Sequence, residues 1–539
     1  MLRRDVEKEI NEWILNDKRA LLIDGARQVG KTFIIRQCLE ESSYTFIEYN
    51  LINDEKVVDI IKNSNNTDDL ILKLSLNTDK KVVPNKTIFF FDEIQVYKEI
   101  LTKIKFLADD ERYKFILSGS LLGIEMSGLK SAPVGYLKTI KMYPLSFKEF
   151  LQLFNIQDEV FDILKNAYIN HKEVDPYIHE RMMNLFNLYM IIGGMPAAVD
   201  AYLKTNNIDD VIDIHNNIVE QYKVDFTKYE SEDKKLIISN IYDLIPTELN
   251  SSNKRFNIAD INKNLRYEKI SDSFVWLYKA GVALPAFNVT EPKSPLKLNE
   301  KSSLMKVFLS DIGMLTTLYG KNCKLMILNN DKDINAGSIY ENVVAQELVN
   351  KEIDLYYYNS KKYGEIDFLF EDENGVVLIE VKSGKGYQRH SAINNIKEIY
   401  KAKAIVFSKE NIIFENNILY LPLYMLMFIK KEKEAELKEI AENKEKIVKE
   451  REKIYSNAKQ ETKRIVAEKL SEAEEIIDEL KGILKKAGLE SREAIRAAEL
   501  KNRLKNSRYL EAENDLEPID LVRTKTTDLK IGSKVYVKS

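Results

Sequence analysis

The chain has 539 residues, too many for one hydrophobic core, so several domains are expected. Its 44% hydrophobic content fits folded globular domains, and a formal net charge of −4 excludes a surface coated in basic residues while leaving room for a local basic groove. Two cysteines, Cys38 and Cys323, exclude a disulfide framework or a cysteine zinc site and fit a reducing compartment.

The start, "MLRRDVEKEINEW", lacks the apolar core of a signal peptide. The longest apolar run, "ILYLPLYMLMFI" at 418–429, is too short to cross a bilayer and contains Pro422. The expectation is a cytoplasmic protein without membrane contact.

An apolar strand at 20–23 runs into "DGARQVGKT" and then a helical pattern. Gly25, Ala26, Arg27, Gln28, Val29, Gly30, Lys31 and Thr32 have the order of a phosphate loop: glycines turn backbone N–H groups inward, at a helix N-terminus. Lys31 would reach the β- and γ-phosphates of ATP, and the Thr32 hydroxyl would take a place on Mg²⁺. A second apolar strand, "KTIFFFDEIQ", ends in Asp92, expected on Mg²⁺, and Glu93, expected to polarise the attacking water. A third, "YKFILSGS", brings Ser118, either a γ-phosphate sensor or a plain strand-end serine. Strands at 20–24, 45–49, 87–91, 114–118 and 138–142 with helices between predict a parallel α/β sheet.

"GARQVGKT", "FFFDEIQ", "ILSGS", "MYPLSFKEF" and "IGGMPAAV", in that order, resemble the AAA+-like ATPases of prokaryotes that carry a C-terminal domain of unknown function. The resemblance covers about residues 1–428 and implies ATP binding. Many members have Gly-Arg before the "YPLSF" motif; here Gly135-Tyr136 stands there, with Lys138 nearby. An arginine-assisted, oligomer-dependent hydrolysis therefore lacks its arginine, and a switch or a slow hydrolase is expected.

Residues 156–250 carry helical patterns, with Gly193-Gly194 marking a helix break before Met195-Pro196. "FNIADINKNLRYEKISDSFVWLYKAGVALPAFNV" reads as a winged helix: short helix, turn, longer helix with Ser271, Asp272 and Ser273 at its start, Gly281, extended run. Its mixed polar positions favour domain packing over sequence reading, with Trp276 and Tyr278 as core and rim.

"YGEIDFLFEDENGVVLIEVKSG" then gives two strands around an Asn374-Gly375 turn. With Asp372–Gly375 as a four-residue loop, Asp367 lies opposite Glu380 and Glu365 opposite Lys382. Glu341 arrives from the upstream helix "GSIYENVVAQEL". The pattern resembles the PD-(D/E)xK nuclease fold. The resemblance implies catalytic Asp367, Glu380 and Lys382, and a second Mg²⁺ or Mn²⁺ on Glu341, Asp367 and Glu380. The bland alternative is a Glu365–Lys382 salt bridge on a silent sheet. His171, His179, His215 and His390 form no motif, and His390 is expected on an exposed loop, with a place near the metal site as the alternative.

From about 430 the composition turns to Lys, Glu, Ala and Ile. Ile454, Ile465, Ile476 and Ala487 recur at a period of about eleven, with Ile447, Ala458 and Leu480 filling the stripe of a coiled coil that Gly488 and Ser491 interrupt. "SREAIRAAELKNRLKN" reads as a shorter returning helix. Together with "DLKIGSKVYVKS", the tail resembles the coiled-coil and KOW region of the MutS-like family ending in an Smr domain. A fusion, a truncated reading frame or a misassembled locus is the expectation.

The predicted fold class is thus multidomain α/β. Its parts are an AAA+-like P-loop sheet at 1–155, a helical lid and winged helix at 156–330, and a nuclease-like α/β domain at 331–429. A coiled coil at 430–515 and an incomplete barrel start at 516–539 follow. Two functions stay open. Nucleotide state could control a nuclease-like domain acting on nucleic acid, DNA before RNA, or the chain could be a regulatory protein with that domain silent and the coiled coil pairing with itself or a protein partner.

Overall fold

The computed structural model describes residues 3–97, 99–120, 135–226, 232–261, 266–331, 336–384 and 386–430, with scattered helical positions between 464 and 503. Met1–Glu432 form one compact unit and Lys433–Ser539 another.

Five parallel strands make the first sheet: β1 (Ala20–Asp24), β2 (Thr45–Asn50), β3 (Thr87–Asp92), β4 (Lys114–Gly119) and β5 (Leu137–Lys141), in the order β2-β3-β4-β1-β5. Each lies within one residue of its predicted place. Inner strands β1 and β3 are buried at every position, because helices cover both faces and leave no wet side. Edge strands β2 and β5 keep exposed or half-buried positions.

The helices Asp158–Asn170, Pro176–Ile192, Pro196–Thr205, Ile208–Phe226 and Glu232–Leu249 follow. Gly193 ends the second of these at φ 74°, a left-handed value that suits glycine. A Cβ on Gly194 would overlap the Leu145 backbone, so the predicted break is also a close approach. Among the described residues no single helix is long and apolar enough to cross a membrane. The pair Pro176–Ile192 and Pro196–Thr205, bent by 116°, would pass together by length and composition. Met182, Phe186, Tyr189 and Met190 of that pair are buried in the core.

The second sheet has eight strands: β6 (Ala283–Val289), β7 (Glu300–Leu309), β8 (Tyr356–Ser360), β9 (Gly364–Asp372), β10 (Gly375–Val381), β11 (Lys403–Ser408), β12 (Ile413–Glu415) and β13 (Ile418–Pro422). Their order is β12-β13-β11-β10-β9-β8-β6-β7. The sheet therefore runs across the expected boundary at 330/331: β6, the extended run of the winged-helix reading, pairs in parallel with β8. A two-stranded ribbon is marginal alone, and joining a larger sheet buries it. The helix before β6 starts at Tyr267, four residues earlier than expected, so Ser271–Ser273 fall inside it and Ser273 is buried. Trp276 is buried and Tyr278 exposed, as core and rim residues.

In the second unit the described positions are helical, and Lys501 Nζ lies 3.2 Å from an Asp478 carboxylate oxygen, the contact that a returning helix makes. Of the predicted stripe only Ile476 is described, and it is exposed. Ile447, Ile454, Ala458, Ile465, Leu480 and Ala487, the breakers Gly488 and Ser491, and residues 516–539 lie outside the described residues.

Candidate functional site

The loop Gly25–Gly30 joins the C-terminal end of β1 to the helix Lys31–Glu41. Gly30 is left-handed at φ 93°, and a Cβ on Gly25 would overlap the Met142 carbonyl. The Lys31 ammonium turns back on this loop, donating to Gly25 O at 2.9 Å and Ala26 O at 2.8 Å. Burial pulls its pKa down to about 8, against the pull of Glu93, Asp24 and Asp92.

Asp92, at the end of β3, gathers three donors. Thr32 Oγ1 lies 3.1–3.2 Å from its two oxygens, Asn50 Nδ2 donates at 3.3 Å, and the Ser118 hydroxyl donates from β4. Burial pushes its carboxyl above the usual range, against the downward pull of the Ser118 and Thr32 bonds. Ser118 is thus placed against Asp92. Asp24 Oδ1 and Ser120 Oγ, both buried at the same end of the sheet, have no hydrogen-bond partner. The Thr32–Asp92 pair fits Mg²⁺, which takes oxygen donors and keeps several waters. Thr32 and Asp92 would hold the ion, which would neutralise phosphate charge.

Distant segments wall the loop. Arg27 Nε sits 2.7 Å from Asp225, Tyr222 OH donates to Arg27 O at 3.2 Å, and Gln28 bonds Gln221, all from the helix Ile208–Phe226. A Cβ on Gly281, itself at φ 73°, would stand 3.2 Å from Ala26 N. From the N-terminus, the Arg4 guanidinium donates to Val29 O (3.1 Å), Tyr143 O (2.7 Å) and Glu149 (2.9 Å). The capping box Ser146–Glu149 was visible in "YPLSFKEF" as S-x-x-E; Arg4 carried no sequence signal.

In the second sheet β9 and β10 pair with Gly375 opposite Asp372 and Ile379 opposite Phe368, the register expected of the hairpin. Asp367 Oδ2 accepts from Val381 N at 2.8 Å, next to Glu380. The helix Gly337–Val349 delivers Glu341, as predicted.

The charges are arranged otherwise than the metal reading required. Lys306 of β7, fully buried, lies 2.5 Å from Glu365, 3.3 Å from Glu341 and 3.9 Å from Asp367. Lys254 also pairs with Glu341, and Lys382 with Glu380 at 2.6 Å. Ammonium groups thus stand among the carboxylates where a second Mg²⁺ or Mn²⁺ was expected, so Glu341, Asp367 and Glu380 do not fit that ion. Among the described residues no group of three or more His, Cys, Asp or Glu is spaced for a metal. The Glu365–Lys382 bridge is likewise replaced by the pairs to Lys306 and Glu380. Lys306 in the apolar run "LMKVFL" was a sequence signal of the same kind as the charged hairpin; Lys254 had none.

His390 is buried with Nε2 2.8 Å from Tyr420 OH, a packing histidine in place of the expected exposed one. His215 is also buried, on Thr317 at 2.8 Å.

Three family models match the chain: "AAA domain" over residues 17–151, "Domain of unknown function (DUF8612)" over 183–325 and "Domain of unknown function (DUF4143)" over 336–426. An uncharacterized protein of Haemophilus influenzae is 23% identical over 394 residues, 70% of this chain and 87% of its own. Solved structures with some similarity include the Walker-type ATPase PABY2304 of Pyrococcus abyssi (14% identity, 59% of this chain and 96% of that one, TM-score 0.36). Cdc6p of Pyrobaculum aerophilum is another (14% identity, 60% and 93%, TM-score 0.19). The family-model match over 17–151 makes the first sheet and its loop similar to an AAA domain, which supports ATP binding.

Proposed function

We propose that this chain binds and hydrolyses ATP at the Gly25–Thr32 loop, and that its nucleotide state regulates a second-sheet domain that does not cut. Lys31 exchanges its two loop carbonyls for the β- and γ-phosphates, and Glu93 takes the proton of the attacking water. With Gly135-Tyr136 in place of an arginine, turnover is slow, as suits a switch. The second sheet hears the loop through Gly281, two residues before β6. The observation that carries the silent reading is Lys306, which neutralises the carboxylates from inside. The protein acts in the cytoplasm, and its tail engages a second copy or a protein partner.

A second reading, metal-dependent cleavage of DNA before RNA, has one observation in its favour: Asp367, Glu380 and Lys382 do meet at one end of the β9–β10 hairpin. Plasmid nicking with Mn²⁺ separates the two, comparing the parent with Asp367→Ala and Lys382→Ala. No nicking by any form is expected. Metal-dependent nicking by the parent, lost in both variants, would overturn the silent reading. ATP turnover lost in Lys31→Ala tests the nucleotide half independently.

A further inference from the structure

Glu93 follows β3 with a left-handed backbone, φ 58°, a conformation uncommon for a residue other than glycine. What holds its side chain is Gln95. The Gln95 amide donates to Glu93 Oε2, and Gln95 Oε1 accepts the N–H of Ser120 at 3.3 Å. Gln95 is 5% exposed and Ser120 1%, so the bond between them is shielded from bulk water, while the bond to the half-buried Glu93 is partly so. Ser120 lies just past β4, two residues beyond the serine that donates to Asp92. One neutral side chain thus bridges the ends of neighbouring strands β3 and β4, and fixes a carboxylate that, with Asp24 and Asp92, favours the charged form of Lys31.

We propose that Gln95 is a positioning residue for hydrolysis: its amide holds the Glu93 carboxylate at the phosphate end of the sheet and ties it to the end of β4. This rests on the ATPase reading above. A glutamate unrestrained about its side-chain torsions spends little time aligned with a water. A neutral donor aligns it without removing the charge that accepts the proton.

The test compares wild type, Gln95→Leu and Gln95→Glu in single-turnover hydrolysis and in binding of a fluorescent ATP analogue between pH 6 and 8. Gln95→Leu should lose about 10–100-fold in rate with affinity held within about twofold. In Gln95→Glu the introduced carboxyl donates only while protonated. Its rate relative to wild type should therefore climb as pH falls, a response that a packing role would not give. Retained analogue binding shows that the variants are folded. If Lys31-dependent turnover exists and Gln95→Leu leaves its rate unchanged, this inference fails alone, as it does if the Gln95→Glu ratio is flat with pH. If wild type shows no Lys31-dependent turnover, the ATPase reading and this inference fall together.

Discussion

Lys306 of β7 and Glu341 of the helix Gly337–Val349 face each other at 3.3 Å, both all but sealed from water. The ion pair is part of a cluster in which Lys254, Lys306 and Lys382 stand among four carboxyl groups, Glu341, Glu365, Asp367 and Glu380. Removing one partner of a buried pair strands the other's charge in a poor solvent, which costs more than the pair contributes.

Lys306→Met should therefore destabilise the fold by about 3–5 kcal/mol at neutral pH. Burial already lifts Asp367 and Glu380 above their unfolded pKa values, and without the ammonium that pulls them down they rise further. Their stability contribution is present in acid and is lost as pH rises through the folded values. Urea unfolding at pH 5 and pH 8 should show a defect that shrinks at the lower pH, and Mn²⁺ should recover part of it at the higher. Equal midpoints for variant and parent at both pH values would count against the cluster as described.

Lys31→Ala should abolish ATP binding. Glu93→Gln should bind ATP normally and turn over about 10²–10⁴-fold more slowly, the usual contribution of a general base. Calorimetry for affinity and phosphate release for rate check both. Unchanged turnover in Glu93→Gln would show that another group activates the water.

Lys31 titrates near pH 8 in the free loop because burial opposes its charge, with Asp24, Asp92 and Glu93 pulling upward and Arg27 downward. Phosphate favours the ammonium, so ATP binding should take up a proton around pH 8. Affinity should then fall as pH rises above 8, by up to about tenfold per pH unit. Titrations in buffers of different ionisation enthalpy read the uptake directly. A flat affinity from pH 7 to 9.5 would contradict it.

Gly281→Ala places a methyl 3.2 Å from Ala26 N at a left-handed φ. The strain should cost about 1–2 kcal/mol. The same change should weaken ATP binding, because the atom displaced belongs to the phosphate loop. A melting curve and an analogue titration measure the two effects. A variant that loses stability but keeps its affinity would sever the loop from the turn.

The parallel sheet was legible because a strand covered on both faces must be apolar throughout, and "ALLID" and "TIFFFD" have no other sensible reading. The β9–β10 hairpin was legible from Asn374-Gly375, whose turn fixes the register and with it the neighbours Asp367 and Glu380. The sheet's membership was not, since strand pairing between β6 and β8 joins residues some seventy apart and local pattern is blind to it. The lysine among the carboxylates was hidden for the same reason. Glu341, Asp367 and Glu380 were found by local pattern, but the cation among them comes from β7.

Glycine at 281, tyrosine at 222 and aspartate at 225 bear on where this protein can be divided. The segment 17–151 that matches an AAA domain contains the whole phosphate-binding motif, yet these residues and Pro196, which lies beside Gly30, come from beyond its end. Excised, the segment would keep its motif and lose three sides of the cradle around it, leaving Arg27 without its carboxylate and Ala26 bare to water. Independence of the nucleotide module is a property of its sequence and not of its packing, since the compact unit that contains it runs from Met1 to Glu432.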